Sequence, residues 1–362
     1  VLDTWFSSWL WAFATMDEPT RKKFYPTTDL VTGPDIIFFW VARMIMAGYE
    51  YQKREPFRNV YFTGIIRDKQ GRKMSKSLGN SPDPLDLIAR YGADGLRYGL
   101  MRIAPQGQDI RFDEQQIEQG RHFANKLWNA CRLRQMQEVP LQGEDKILVP
   151  TPDDIHVLLR LDRTIAAVNE LLGNYEFNAA AQALYDFFWG QYCDWYSEVA
   201  KVQLADPELK TQTCAVMDIV LSNVLRLLHP YMPFVTEELW QSMGYGAGRS
   251  IMFAPYPSAD LSQRFSGELQ KVLFYSEADV PQADAFVGCK YAAVQMGRSL
   301  RAEFKIPSNK KLKIVLVPRK VTAEDPGGKY FHFAGYDLVE AEVFRKLVHD
   351  RTTLASMRAL LN

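Results

Sequence analysis

Two lysines three residues apart, Lys73 and Lys76, lie within Gly71-Arg-Lys-Met-Ser-Lys-Ser-Leu-Gly-Asn80, with hydroxyl side chains at Ser75 and Ser77 and glycine near both ends. A loop of small residues bounded by glycine can wrap a polyphosphate, and the backbone amides around Ser75 and Ser77 add donors. When an acid attacks the α-phosphorus of ATP, negative charge builds on the departing pyrophosphate. Two ammonium groups on flexible stems can follow those moving oxygens and neutralise them. Taken alone, a K-x-x-K in a surface loop is more often a solvated charge pair. The chain holds no G-x-x-x-x-G-K-[ST] segment, so a Walker-type loop does not compete for the phosphate role.

Other residue groups could either bind ligands or simply support the fold. Gly33 and Asp35 form a G-x-D element in which glycine permits close backbone approach and the carboxylate can accept hydrogen bonds from vicinal hydroxyls; a turn glycine followed by a capping aspartate reads equally well locally. Trp5, Ile36 and Trp40 are large rigid apolar groups, and a helical turn from 36 to 40 would set two of them on one side of a pocket, although tryptophan is mostly buried wherever it occurs. Arg121, Lys126, Arg132 and Arg134 fall on one helix, where they form either a set of phosphate contacts or a solvated face. Trp128, on the same helix, reads as packing rather than as a platform for an unpaired base. Tyr185, Phe188, Trp189, Tyr192, Trp195 and Tyr196 stand at helical spacing and read as core. The five histidines have no metal-ligand spacing, so no protein-bound metal is expected.

These residues need elements to hold them. Residues 1–118 mix short apolar runs with Gly, Pro and Asp, as in Asn59-Val-Tyr-Phe-Thr-Gly64, which predicts a buried strand ending at glycine and an α/β region. From Gln119 the period becomes helical, with Phe123, Leu127 and Ala130 on one face and Arg121, Asn125, Trp128 and Arg132 on another. After a loop over 138–154, helices are predicted at about 155–172, 178–202, 209–228 and 233–243, an antiparallel bundle filling 119–280. His229-Pro230 stops the third of them. Residues 281–362 predict a small α/β appendage: a helix through Arg301, a strand at Leu312–Val317, and a final helix from about Asp337.

Composition bounds the rest. With 43 basic and 43 acidic residues in 362, the chain has no general positive field, so contact with nucleic acid must come from local basic surface. Cys131, Cys193, Cys214 and Cys289 are too widely spaced for a zinc knuckle or redox pair and fit a reducing cytoplasm. The apolar window at Ile36–Ala42 ends at Arg43, far short of the roughly 20 residues that a membrane span requires. The chain starts at Val1 without a leader, which reads as an internal start. A monomer is the expectation.

Lys73-Met-Ser-Lys-Ser77 resembles the second signature of the class I aminoacyl-tRNA synthetases. Asp83-Pro-Leu-Asp86, Tyr91-Gly-Ala-Asp94 and Leu96-Arg-Tyr98, which follow it, are similar to the branched-chain subgroup. Within that subgroup, Asp3-Thr-Trp-Phe-Ser-Ser8 and Thr32-Gly-Pro-Asp-Ile-Ile-Phe-Phe-Trp-Val-Ala-Arg-Met44 resemble the valine-specific members, whereas isoleucine and leucine enzymes carry histidine in the second segment. Pro34 departs from the usual pattern, where a larger apolar residue stands. Phe123-Ala-Asn-Lys-Leu-Trp-Asn129, Cys193-Asp-Trp-Tyr196 and the run from His229 to Trp240 look like the anticodon-binding domain of the same family. The resemblance runs through about residue 255, continues over 298–307, and is weak elsewhere.

The resemblance implies the back part of a Rossmann-like class I catalytic domain, then an all-α anticodon-binding bundle and the small α/β tail. It implies ATP-dependent activation of valine to valyl-adenylate and transfer to tRNA(Val), with magnesium held mainly by the ATP phosphates. Lys73 and Lys76 would be catalytic, Gly33 and Asp35 would meet the ribose, and Lys73, Met74, Ser75, Lys76 and Ser77 would meet ATP. Trp5, Ile36 and Trp40 would touch the valine side chain, and Arg121, Lys126, Arg132 and Arg134 the tRNA. The His-x-Gly-His signature and the editing domain of the family would precede residue 1, and its coiled-coil arm would follow Asn362, so the chain alone is expected not to charge tRNA. Three alternatives stay open: a tRNA-binding module without catalysis, an isoleucine-type enzyme, and a nucleotidyltransferase that shares only the lysine loop.

Overall fold

The computed structural model describes residues 2–75, 77–141, 150–259 and 279–307, with 319–320, 330–333, 336–340 and 357. Strands β1 (Thr27–Thr32) and β2 (Phe57–Phe62) pair in parallel with Asp29 opposite Asn59. Parallel strands need a crossover between them. Here it is a 3-10 turn (Pro34–Ile36), a π-helical turn (Ile37–Val41), the helix Ala42–Ala47 and a second π-helical turn (Gly48–Gln52). Three short helices precede β1: α1 (Thr4–Ser8), α2 (Trp11–Ala14) and α3 (Glu18–Phe24); the crossover helix is α4. Asp3 and Asp17 start α1 and α3 by accepting the backbone amides of Trp5 and Thr20. A second parallel pair, β3 (Ile66–Arg67) with β4 (Ile110–Arg111), encloses α5 (Pro84–Tyr91) and α6 (Ala93–Arg102).

The α/β reading of this region therefore holds, with one correction. The strand expected to be buried is half open: Phe57 is buried, but Arg58 and Asn59 are exposed. Among the described residues of this region each sheet has only two strands, and around β1 and β2 the buried apolar residues form the small cluster of Ala12, Phe13, Tyr25, Val41, Met44, Ala47 and Phe57.

Helix α7 (Glu114–Gln135) begins ahead of the boundary expected after 118, because the Asp113 side chain accepts the Gln115 amide and caps it there. It crosses α6 at very close range: a Cβ on Gly120 would lie 2.3 Å from the Gly95 carbonyl oxygen, and one on Gly99 2.7 Å from the Ile117 Cα. Glycine is required at both places by the approach of one backbone to the other. Next comes α8 (Pro152–Gly173), which opens with a reciprocal Thr151/Asp154 cap and proline at its first position. Helix α9 (Phe177–Tyr185), a π-helical stretch (Asp186–Tyr196) and α10 (Ser197–Leu204) form one rod where a single helix over 178–202 was expected. The bundle closes with α11 (Pro207–Leu228) and α12 (Pro233–Met243), the latter ended by Gly244 at φ 78°. Its core joins Phe123, Leu127, Leu161, Phe188, Tyr192, Tyr196, Val220 and Leu228, so three members of the aromatic stripe fill the interior as expected.

Beyond 278, α13 (Asp279–Glu303) packs on α8 and buries Lys290 against Asp153. Val287 and Val294 pack there with Val199. Strands β5 (Arg319–Lys320), β6 (Tyr330–Phe333) and β7 (Tyr336–Glu340) make an antiparallel sheet. The final helix expected from Asp337 is thus corrected over 337–340. Phe331 pairs with Val339 and Tyr330 with Glu340, and a strand that finds a ladder partner satisfies its backbone without a helix. The strand expected at 312–317 lies outside the described residues. Among the described residues no helix is long and apolar enough to cross a membrane.

Candidate functional site

The lysine loop hangs from β3. Lys73 bridges back to Arg67, and the Met74 amide donates to the Ile66 carbonyl at 3.1 Å, so residues 67–74 form a tight reversal. Asp68 organises it. Its carboxylate accepts the amides of Gln70 and Arg72 at 3.0 and 2.9 Å, the Arg72 Nε at 2.8 Å and the Asn80 Nδ2 at 2.9 Å. Asn80 Oδ1 in turn accepts the Ser75 amide at 2.9 Å, so Asp68 and Asn80 clamp both ends of the loop. The hydrogen bond from Asn80, together with those from Arg72, draws the Asp68 carboxyl down to about 2. Ser75 Oγ lies 3.1 Å from Ser77 Oγ.

Sequence reasoning missed both Asp68 and Asn80. The available signal was an aspartate three residues before Gly71 and an asparagine directly after Gly79, both common turn-formers.

The loop delivers Lys73 to the G-x-D element. Lys73 Nζ donates to Asp35 Oδ2 at 3.1 Å across 38 residues of sequence, with the two side chains 60% and 50% exposed. A Cβ on Gly33 would stand 2.6 Å from Asp35 Oδ1, so a side chain there would displace the carboxylate. Pro34 occupies the first position of the 3-10 turn, where no amide is needed, which accommodates the departure noted there. Lys76 lies outside the described residues.

Two of the three apolar residues, Trp5 and Trp40, lie where α1 meets the turn over 37–41. Trp40 donates its indole N–H to the Ser8 carbonyl at 3.0 Å, and Trp5 stacks on Phe39 with ring centroids 5.9 Å apart. Trp5 and Trp40 are partly buried; Ile36 stands at the junction of the 3-10 and π-helical turns. The regular α-turn expected over 36–40 is replaced by that junction, and Trp5 reaches the seam through Phe39.

On α7 the structure separates what the sequence grouped. Arg121 and Arg132 are exposed, with Arg121 Nη1 donating to the Arg90 carbonyl at 2.8 Å. Lys126 stands over the Trp189 ring at 4.9 Å and pairs with Asp194 at 3.3 Å. Arg134 must be removed from the set of phosphate contacts. It is 3% exposed, bonds Asp218 at 2.7 Å and donates to the carbonyls of Val139, Pro140 and Cys214. Trp128, expected to pack, is 43% exposed on the face of Arg121 and Arg132. The helical period explains both: Arg134 lies two turns from Leu127, on the buried face, whereas Trp128 follows Arg121 by the same interval. A cavity of about 790 Å³ lies apart from these groups, between α8, the π-helical stretch and α13.

Two parallel crossover units bearing a lysine loop, followed by a helical bundle, define a class of protein. Residues 1–113 match the family described as tRNA synthetases class I (I, L, M and V), and residues 154–316 match the anticodon-binding domain of tRNA ligase. The chain belongs to the class I tRNA synthetases, with a synthetase domain followed by an anticodon-binding domain. Its relatives include the valine–tRNA ligase of Parabacteroides distasonis, 52% identical over 71% of this chain and 30% of that protein. The valine–tRNA ligase of Thermotoga maritima is 43% identical over 90% of this chain and 36% of its own length. The chain thus spans about a third of the length of the curated relatives it matches. In fold it resembles the Agrobacterium radiobacter LeuRS of a LeuRS-tRNA-LeuAMS ternary complex, with TM-score 0.59 at 20% identity over 72% of this chain and 34% of that one.

Proposed function

We propose that this chain is the part of a valine–tRNA ligase that holds ATP, contacts the valine side chain and grips the anticodon arm of tRNA(Val). The observation that carries the reading is the meeting of Lys73 and Asp35, which sets a cation for phosphate beside an acceptor for ribose. An ion pair so open to water is weak, so it exchanges partners readily. ATP would separate it: the ribose hydroxyls donate to Asp35, and Lys73 turns to the phosphates. In-line attack by the valine carboxylate then forms the bond to the α-phosphorus while the bond to pyrophosphate breaks. This chain's contribution is positioning and charge neutralisation, with no nucleophilic side chain required. Magnesium would arrive with ATP, held by its phosphates, and would offset part of their charge.

Trp5, Ile36 and Trp40 would shape the valine site by size. A pocket of that kind excludes bulkier side chains but rejects isosteric threonine only weakly. Arg121, Lys126 and Arg132 would meet tRNA phosphates, and exposed Trp128 would offer a ring to an unpaired base.

Equilibrium binding of ATP and of adenosine to the chain tests the reading. Lys73→Ala should weaken ATP by about ten- to a hundredfold, the worth of a charge-assisted hydrogen bond, while sparing adenosine. Asp35→Ala should weaken both. Equal ATP affinity in wild type and Lys73→Ala sinks the proposal. A chain that binds an anticodon-arm RNA but not ATP would favour the RNA-module reading instead.

A further inference from the structure

Helix α8 ends in a Schellman turn, in which the Glu176 amide donates to the Leu171 carbonyl at 2.8 Å and the Tyr175 amide to that of Leu172 at 3.1 Å. Tyr175, at its centre, has φ 62°, the left-handed conformation that glycine ordinarily supplies here and that a bulky side chain adopts only at a cost. The turn by itself has no use for tyrosine. A strained residue that persists points to contacts made elsewhere.

Those contacts are on the other region of the molecule. The Tyr175 hydroxyl donates to Asp29 Oδ1 at 2.6 Å and accepts from Asn59 Nδ2 at 3.1 Å, while Asn59 Nδ2 also donates to Asp29 Oδ1 at 3.0 Å. Asp29 and Asn59 are register partners in the β1/β2 ladder. The Tyr175 ring lies 6.0 Å from that of Tyr61 and 6.1 Å from that of Phe177. From the bundle side, Tyr231 Oη donates to the Phe177 carbonyl at 2.9 Å and so holds the start of α9. The closed triangle of hydrogen bonds therefore joins a turn anchored in the bundle to the strand that runs through Thr32 into Gly33 and Asp35.

We propose that Tyr175 is a positioning residue that fixes β1, and with it Gly33 and Asp35, in register with the anticodon-binding bundle. The functional meaning of that contact rests on reading Asp35 as an ATP contact; the mechanical link does not. Through it, a shift of the α8–α9 turn on binding RNA is passed to the strand carrying the ribose carboxylate, and a change at that strand is passed back.

Amide hydrogen exchange on the full chain tests the link, with Tyr175→Phe removing only the hydroxyl and Tyr175→Gly removing the side chain together with the strain. In both variants the amides of β1 and of Thr63, which donates to Thr32, should exchange about five- to tenfold faster, as expected for loss of one solvent-exposed hydrogen bond. Those of Val220 and Leu221 in α11 should keep their rates. A residue that serves only its own turn gives the opposite: Tyr175→Gly leaves β1 unchanged or slower to exchange, and Tyr175→Phe changes nothing. That pattern overturns the proposal. Should Tyr175→Gly fail to fold, Tyr175→Phe decides alone, because it keeps the ring packing. The readout needs neither ATP nor RNA, so failure of the ligand tests above would leave this result independent.

Discussion

Residues 2–113 and the bundle that follows are built to different physical ends. The first region is made of short helices and two-stranded sheets, and it leaves Trp11, Phe38 and Met46 60%, 79% and 64% exposed. The bundle places long helices around a core in which Leu161, Ile165, Phe188, Val220 and Leu225 are fully enclosed. Binding groups must be reachable, and Lys73 and Asp35, proposed above for that role, are reachable because little is packed over them. Stability grows with buried apolar area, so it concentrates in the bundle. On the function proposed above, the difference is a division of labour: one region carries charge that must move, and the other supplies the rigid body against which it moves.

That contrast can be broken most forcefully inside the bundle. Arg134→Ala leaves the buried Asp218 without its cation and should lower the unfolding free energy by about 3–5 kcal/mol, read from urea denaturation. Burial already pushes the Asp218 carboxyl upward despite Arg134, which shows how unwelcome an unpaired charge would be there. Lys73→Ala, on the other side of the comparison, should stay within about 0.5 kcal/mol of wild type. Equal destabilisation by the two would end the distinction.

Trp128→Ala sharpens it next, because it removes an exposed ring from the stable region. Affinity for an anticodon-arm RNA should fall by about 1–3 kcal/mol in filter binding, with the urea midpoint unmoved. A shifted midpoint with unchanged affinity would return Trp128 to a packing role.

The smallest effect lies in the lysine loop. Asn80→Ala cuts the link from Asp68 to the Ser75 amide, and exchange of that amide should rise about fivefold. Acid should do the same to the wild type. Because the folded-state Asp68 carboxyl is depressed to about 2, its contribution to loop order is complete above the ordinary carboxylate value of about 3.9 and is lost as pH falls through about 2. The Asn80 side-chain amide signal, followed by NMR on acidification, reports it; a midpoint near 4 would contradict the clamp.

Much of the architecture is legible in the residues themselves, for reasons that can be stated. The helices 152–173, 207–228 and 233–243 follow from local period, caps and prolines. The lysine loop stands out because its residue types and spacing lie within one short segment. Asp68 and Asn80 do not, because turn-forming residues are common and their partnership shows only when the loop closes. Arg134 is misassigned if charge is weighed above geometry, since the period of Phe123, Leu127 and Ala130 already assigns it to the buried face. The helix expected from Asp337 gives way to strand over 337–340 because a short apolar run takes its conformation from whichever partner it meets.

Sequence alone determined the α/β-then-helical order, the bundle helices, the loop at 71–80 and the family. Tertiary structure alone decided that Lys73 meets Asp35, that Trp128 faces water while Arg134 does not, and that Tyr175 reaches Asp29 across 146 residues. The physical reason is range. Periodicity and capping act within a few residues of the chain, whereas burial and ion pairing depend on which distant segments the fold brings to within a few ångströms.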